Sequence, residues 1–517
     1  MLIEKIGDID VMPVSGETRI HDNVNGKMEP EEKPSLPPRM KFPSKKALVD
    51  YMYNEEKNVA QVRAMKFIFD KESKGHIFIT GWAGTGKSTF LKRILPFLGN
   101  YGVVAPTGIA ALNVGGSTIH SYFSFNLDPY WPEFKDGRFK NHIELLLNKE
   151  KRNVIRNLKF LVIDEMSMVR ADLLDRIAET LRIVRYSNEP FGGVRLIMMG
   201  DLSQLPPVLK GDDPMLTYYD TRFFFSSKSL MASGFDVVIF DKVYRQKDPK
   251  FINILNDIRE GKLSKESEDI LATRVVTKNF PDNAIYICST NQESSSINQS
   301  SLQRNLNPSF TFPSYKEGDA PKDAPCEDML TVKTGARVVM TKNGTGYVNG
   351  SMGTVTNVFV DREDPEKSYI EVMIDKSDKP VKIRRETWDK IKYSVDHGQI
   401  ITYVVGTITQ FPMRLGYSIS AHKSQGMTLD SVILKMNRAF ESGQVYTAIS
   451  RCKSLEGLYL TSPILQSYIH IDDDIQLFYE KAKDNDGKFE PIPVSRIAEG
   501  MNIQEEDDDI DFDEYDL

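Results

Sequence analysis

Two glycines, a lysine and a hydroxyl at fixed spacing carry the strongest chemical signal in this chain: Gly81-Trp-Ala-Gly84-Thr85-Gly86-Lys87-Ser88-Thr89. Glycines let backbone N–H groups curl around phosphate oxygens, and a helix starting at Ser88 adds partial positive charge. In that arrangement Lys87 reaches the outer phosphates of a nucleoside triphosphate and the Ser88 hydroxyl ligates Mg²⁺. Composition alone yields roughly 0.02 chance matches to this pattern. Lys87 is expected to face solvent and to pack against nothing. A second constellation, Phe160-Leu-Val-Ile-Asp164-Glu165, is an apolar run ending in two acids. Asp164 suits the magnesium shell, and Glu165 suits the positioning and deprotonation of a water. A third is Gly200-Asp201-Leu-Ser-Gln204-Leu-Pro206-Pro207, a proline-stiffened turn whose glutamine can sense a terminal phosphate. Hydrolysis there needs positive charge at the transferring group. Arg245 in VYRQ and Arg451 in QVYTAISR are the compact candidates. The seven histidines form neither HxxxH nor HExxH, which argues against a zinc hydrolase.

These groups stand at the ends of short apolar runs, so the elements that hold them can be read next. Runs at 76–80, 101–105, 160–163 and 196–199 alternate with helical segments such as 55–72. Such alternation predicts a parallel sheet covered on both faces, with ligands at the carboxyl ends of its strands. A second series starts near Ala284 and is interrupted at about 350–408 by alternating β-type runs (GTVTNVFV, SYIEVMI, QIITYVV) that predict a small barrel-like insertion. Residues 1–45, with Pro30, Pro34, Pro37, Pro38 and Pro43, predict an extended lead-in. With 517 residues, 40% of them hydrophobic and 27% charged, the chain can fill several cores, which excludes collagen-like and wholly disordered readings. No apolar run approaches the ~18 residues of a membrane span. The first residues lack the apolar centre of a signal peptide, and Cys288, Cys326 and Cys452 stand too far apart for a CxxC site. An intracellular, reduced protein is expected. The net charge is −7, but the last 17 residues alone hold nine acids and no base, which leaves +2 on the rest. A near-neutral body can still carry a basic channel.

The order of motifs across about 60–455 resembles the Pif-type DNA helicases of superfamily 1, the group that includes Dda-type and RecD-like enzymes. The series runs GWAGTGKST, APTGIAALNVGGSTIHSYF, VIDEMSMV, PFGGVRLIMMGDLSQLPPV, VYRQKD, AHKSQGMTL and QVYTAISR. Its most specific parts are TGIAALNVGGSTIHS and the PFGG…GDLSQLPPV segment, and it departs mildly from the family at Thr447-Ala-Ile-Ser450. The resemblance implies an α/β fold of two RecA-like parallel-sheet domains with small insertions, and ATP with Mg²⁺ between the domains. The first domain is expected over 46–245, with an insertion at about 122–158. The second is expected over 246–485, with an SH3-like β-barrel at about 350–408, and a disordered acidic tail over 486–517. By the same resemblance Gln61 reads adenine, while Gly81, Gly84, Thr85, Gly86, Lys87, Ser88 and Thr89 hold the triphosphate. Ser88 and Asp164 hold Mg²⁺, Glu165 holds the water, and Gln204 senses the γ-phosphate. Arg245 and Arg451 arrive by domain closure, and Gln425 and Gly426 approach the nucleotide. Thr107, His120, His422, Lys423 and Ser424 fall in segments that touch the DNA strand.

The activity implied is ATP-dependent 5′→3′ translocation on single-stranded DNA and unwinding of forked duplex, in replication, recombination or repair. The alternatives are a translocase that remodels protein–DNA complexes without processive unwinding, and a non-catalytic replication scaffold. The 122–158 insertion is rich in aromatics. Phe123 and Phe125 suit a small core, whereas Trp131 and Phe134, beside Pro132 and Asp136-Gly137, suit a wedge that splits the duplex. In the tail, acids alternate with Ile510, Phe512, Tyr515 and Leu517. That pattern suits docking to a replication partner such as a polymerase or single-strand-binding protein, occupancy of the protein's own DNA channel, or simple solubility.

Overall fold

The computed structural model describes residues 42–492 apart from 71–72, 127–129, 131–132, 136–137, 141–146, 210–213, 282–283, 323, 362, 376, 398 and 437–440. A seven-stranded sheet dominates the first half. Its order is Lys488–Phe489, Phe235–Phe240, His76–Gly81, Arg195–Met199, Phe160–Ile163, Tyr101–Ala105, Ser117–Thr118. All neighbours pair parallel except the first, which pairs antiparallel. The strand His76–Gly81 is buried along its whole length, as a central strand covered on both faces must be. Alternation then sorts its side chains. Phe78 joins Val104, Leu161 and Ile163 in a core under the helix Ala171–Arg185. Ile77 and Ile79 join Val103 and Val162 in a core on the other face, with Ile68, Phe90 and Leu91. At the strand's start the buried His76 ring accepts a hydrogen bond from the Leu196 amide, and burial with the nearby Arg195 charge pulls it down to about 4.

A second sheet, ordered Ser418–Ser420, Ile285–Cys288, Val432–Lys435, Leu458–Leu460, is parallel throughout. Two parallel α/β sheets thus stand where the sequence reading puts them. Three details differ. The expected helix over 55–72 starts only at Val59, because Lys57 has a positive φ of 49° and the Asn58 side chain caps the Gln61 amide. The β-rich block is larger than 350–408. It begins with Ser309–Pro313 and builds a five-stranded antiparallel sheet, Val381–Ile383, Tyr369–Ile374, Met352–Phe359, Arg337–Met340, Met413–Leu415. Among the described residues no pairing joins the two edges of that sheet into a closed barrel. Its long hairpin, Glu386–Asp396 with Gln399–Gln410, reaches back to the first sheet, where the Tyr393 hydroxyl bonds both N and O of Val103 at 3.2 Å.

The third difference concerns the boundaries at 246–485 and 486–517. The helix Asp473–Asp484 buries Ile475, Phe478 and Ala482 in the first domain's core, not the second's. Lys488–Phe489, assigned above to the tail, is the edge strand of the first sheet, and the Phe489 ring stacks on Phe235 at 4.7 Å. The chain therefore returns to its first domain before it passes beyond residue 492. In the 122–158 insertion, Tyr122 and Phe123 are buried, and Phe123 stacks on Phe125 at 5.3 Å, so these rings pack the domain. Glu133–Lys135 and Arg138–Lys140 form a short antiparallel ribbon with Phe134 opposite Phe139, while Trp131 lies outside the described residues. No helix of the described residues is long and apolar enough to cross a membrane.

Candidate nucleotide and DNA site

The phosphate loop leaves the carboxyl end of the strand His76–Gly81 and enters the helix Lys87–Ile94. Gly81 (φ 145°) lies so close to the next strand that a Cβ there would come within 2.3 Å of the Phe240 carbonyl oxygen. Gly84 and Gly86 adopt left-handed φ of 83° and 84°, which only glycine does without strain. Thr85 is buried and closes the loop by donating to the Trp82 carbonyl at 2.8 Å, whereas Ser88 and Thr89 are exposed at the helix start. Lys87 corrects the sequence expectation. Its ammonium is not a solvent-facing charge but donates to the Gly81 and Trp82 carbonyls at 2.6 and 3.1 Å. Burial lowers its pKa, while the Asp201, Glu165 and Asp164 carboxylates oppose that shift. The flexible lysine stem folds back onto these two carbonyls at the start of the loop.

The two acids follow the strand Phe160–Ile163, which is separated from His76–Gly81 by Arg195–Met199. Burial raises the Asp164 carboxyl even though it accepts the Glu165 amide hydrogen at 2.9 Å. Burial, then the Asp164 charge, pushes Glu165 up to about 7. Glu165 also holds a left-handed backbone (φ 54°, ψ 47°), an uncommon strain for a non-glycine residue and one that recurs at working sites. A carboxylate poised near neutrality is what a general base requires.

From the turn after Arg195–Met199, Asp201 accepts Gln204 Nε2 at 3.1 Å and the Ser203 amide at 3.2 Å. Arg245 lies against the loop, its Cβ 2.5 Å from where a Cβ on Gly84 would stand, and donates to the Ser450 carbonyl at 3.0 Å. Burial, then the charge of Arg451, lowers Arg245 to about 9. Arg451 is buried beside its own helix, donates to Thr447 O and Ser450 Oγ at 2.9 Å, and has Glu165 as its leading opposite charge. Lys87, Asp164, Glu165, Gln204, Arg245 and Arg451 thus meet in one interdomain cleft.

The fit to a nucleotide rests on polar atoms that lack partners. Gln61 Oε1, Ser203 Oγ, Gln246 Oε1, Gln425 Nε2 and Thr447 Oγ1 are buried with no hydrogen bond, and Gln61 Nε2 lies 3.5 Å from a Cβ position on Gly86. Orphans of this kind are rare unless a ligand completes them. No group of three or more His, Cys, Asp or Glu among the described residues can hold a metal alone. Mg²⁺ takes one or two protein oxygens and fills its shell with phosphates and water. Ser88 and Asp164 are the residues to supply those oxygens.

The DNA candidates divide between the domains. Thr107 caps the helix Gly108–Val114 through the Ala110 amide. Gly426 (φ 76°) brings the 421–426 turn over the same helix, 3.1 Å from Asn113 Nδ2 at its Cβ position. Lys423 is exposed, His120 and His422 are half-buried, and Ser424 is buried with its hydroxyl donating to Ala421 O. Burial lowers both histidines from their ordinary value and so favours the neutral ring. Tyr446 in QVYTAISR and Asp201 in GDLSQLPP carry no distinguishing signal of their own in the sequence. Tyr446, in the helix Gln444–Ile449, accepts the Ala83 amide hydrogen at 3.0 Å and donates to Asp201 Oδ2 at 3.1 Å. Its only sequence signal is a position three residues beyond Gly443, on the helix that ends two residues before Arg451.

Comparison with known proteins points to one family. A family model described as PIF1-like helicase matches residues 52–269. The chain is similar to the ATP-dependent DNA helicase PIF1 of Homo sapiens, 35% identical over 395 residues that cover 74% of this chain and 57% of that protein. The relative of the same name from Rattus norvegicus is 30% identical, over 95% of this chain and 72% of its own length. Among solved structures, Bacteroides sp Pif1 in complex with ADP-AlF4 aligns with a TM-score of 0.75 and 33% identity, covering 83% of this chain and 97% of that one. Bacteroides Pif1 bound to ssDNA aligns over the same shares with a TM-score of 0.60 and 34% identity.

Proposed function

The chain belongs to the PIF1-like helicase family, and we propose that it is an ATP-dependent DNA helicase moving 5′→3′ on single-stranded DNA. The observation that carries the reading is the cleft itself. Lys87, Asp164 and Glu165 from one parallel-sheet domain share a buried site with Arg451 from the other. Such a site is complete only when the two domains are together, so hydrolysis and domain motion are linked. In this reading the loop from Gly81 to Thr89 cradles the triphosphate, Lys87 leaves its loop carbonyls for the outer phosphates, and Gln61 reads the base. Ser88 and Asp164 complete a Mg²⁺ shell that neutralises phosphate charge. Glu165 takes the proton of the attacking water, and Gln204 with the two arginines faces the transferring phosphoryl. Thr107, His120, His422, Lys423 and Ser424 touch the strand, with Gln425 and Gly426 between strand and nucleotide. Forked duplex is the natural substrate, an intracellular site follows from the need for ATP and DNA, and replication, recombination or repair is its setting.

Strand displacement on 5′-tailed and 3′-tailed duplexes with ATP and Mg²⁺ tests this. Displacement of the 5′-tailed substrate alone is expected, and preference for the 3′ tail would reverse the direction. ATP-driven clearing of bound protein without displacement would favour the translocase alternative. For the insertion, Trp131→Ala with Phe134→Ala should lower unwinding and spare DNA-stimulated hydrolysis, since base–aromatic stacking of about 1–3 kcal/mol competes with one base-pair step. For the tail, truncation after Gln504 separates the readings. Lost capture of a polymerase or single-strand-binding protein supports docking, and tighter DNA binding at low salt supports self-occupancy.

A further inference from the structure

One hydroxyl stands at the junction of three working parts of the cleft. Tyr446 belongs to the second domain, is 2% exposed, and crosses into the first. Its oxygen accepts the amide hydrogen of Ala83, inside the phosphate loop, and donates its proton to Asp201 Oδ2. That same carboxylate oxygen accepts the side-chain amide of Gln204. Only a group that is donor and acceptor at once can fill this place. The helix carrying Tyr446 is seated on the glutamine's own turn. Gly443 (φ 72°) packs so tightly there that a Cβ would come within 2.4 Å of Ser203 O and 2.5 Å of Gln204 O. A rotation of the second domain therefore cannot leave Ala83, Asp201 and Gln204 undisturbed, because the hydroxyl and the glycine contact move together.

We propose that Tyr446 is a positioning residue that transmits the placement of the second domain, through Asp201, to Gln204 and the phosphate loop. It deepens the helicase reading and rests on it. Asp201 needs no substrate contact of its own for this. Its two oxygens distribute three donors, and losing the tyrosine proton frees the carboxylate to swing with Gln204. Ala83 loses its acceptor at the same moment, so loop and glutamine are released as a unit.

The test is a double-mutant cycle on the full chain, reading ATP turnover with and without single-stranded DNA. Tyr446→Phe removes one oxygen. It is expected to lower DNA-stimulated kcat about tenfold or more, with the KM for ATP changed less than about twofold. Gln204→Ala is expected to lower kcat further, and Tyr446→Phe added to Gln204→Ala should cost clearly less than it costs in the parent protein, because the part of its effect that passes through the glutamine is already lost. A residue that merely supports the fold would lower the melting temperature and give additive losses. Additive losses, or kcat and stimulation equal to those of the parent protein, would overturn the proposal. Should Tyr446→Phe fail to fold, Asp201→Asn paired with Gln204→Ala reads the same bond from its other end. The unmodified protein separates this inference from its premise. If its hydrolysis is not stimulated by DNA, the helicase reading fails, and the cycle is then read on basal hydrolysis.

Discussion

At the scale of single residues the cleft is a competition between burial and charge. Lys87 is held by two carbonyls of its own loop, so Lys87→Ala should fold normally and lose ATP binding and hydrolysis together, seen as lost nucleotide-induced thermal stabilisation. A variant that still hydrolysed ATP at near-parent rates would remove Lys87 from the phosphate-binding role. Glu165 differs, because in the proposed mechanism its side chain takes a proton from water. Glu165→Gln should keep that stabilisation and lose turnover. Only the ionised carboxylate accepts a proton, and burial has raised it to about 7. Turnover should therefore fall on acidification, with its acid limb at or below pH 7, since bound Mg²⁺ favours the ionised form. An acid limb absent down to pH 5 would refute the base assignment.

At the scale of elements, the long hairpin of the insertion decides how the two halves of the chain touch. Tyr393 bonds both backbone groups of Val103 beside the short edge strand Ser117–Thr118, and its ring packs on Tyr122 at 4.9 Å. Tyr393→Phe removes both bonds to the buried Val103 backbone, a loss of about 1–3 kcal/mol. The change should appear as a lower melting temperature and faster hydrogen exchange at Val103; unchanged exchange there would show that the bond is not held in solution. Beside it Lys151 donates to Ser121 O and to Ser124 Oγ, yet burial, then the charges of Lys392 and Lys390, lower it to about 8. A lysine whose folded value lies below its unfolded one, about 10.4, binds more protons unfolded over that interval. Its contribution to stability therefore rises between about pH 8 and 10. Lys151→Met should flatten that rise in a melting-temperature profile, and an equally steep profile would show that Lys151 is not the titrating group.

At the scale of the whole molecule, the chain's return to its first sheet ties the ends of the fold together. Phe478 stacks with Phe225, Phe235 and Phe489 at ring distances from 4.7 to 6.4 Å and is 3% exposed. Phe478→Ala should cost about 3–5 kcal/mol, felt by the first domain although the residue lies late in the sequence. Limited proteolysis that released an unfolded second domain and left the first intact would contradict this. Arg451 acts on the same scale from the catalytic side. Removing such a finger typically costs about 10³–10⁵ in rate, so Arg451→Ala should bind ATP, resemble Glu165→Gln and show almost no DNA stimulation.

What the sequence alone determined is what local chemistry enforces. A strand–loop–helix with glycines at 81, 84 and 86 places a lysine and a hydroxyl whatever surrounds it. An apolar run ending in Asp164-Glu165 delivers its acids to a sheet edge, and the motif order carries the family and the two parallel sheets. Tertiary structure alone decided the rest. Which domain owns residues 473–489, and that Tyr393 and Tyr446 cross between domains, depend on pairings more than 200 residues apart. No local pattern encodes such pairings, because a buried tyrosine in one helix or strand reads the same whichever backbone its hydroxyl finally meets. Lys87 shows the same limit at short range. Its identity was legible in the sequence, but its partners are carbonyls that it meets only once the loop has folded.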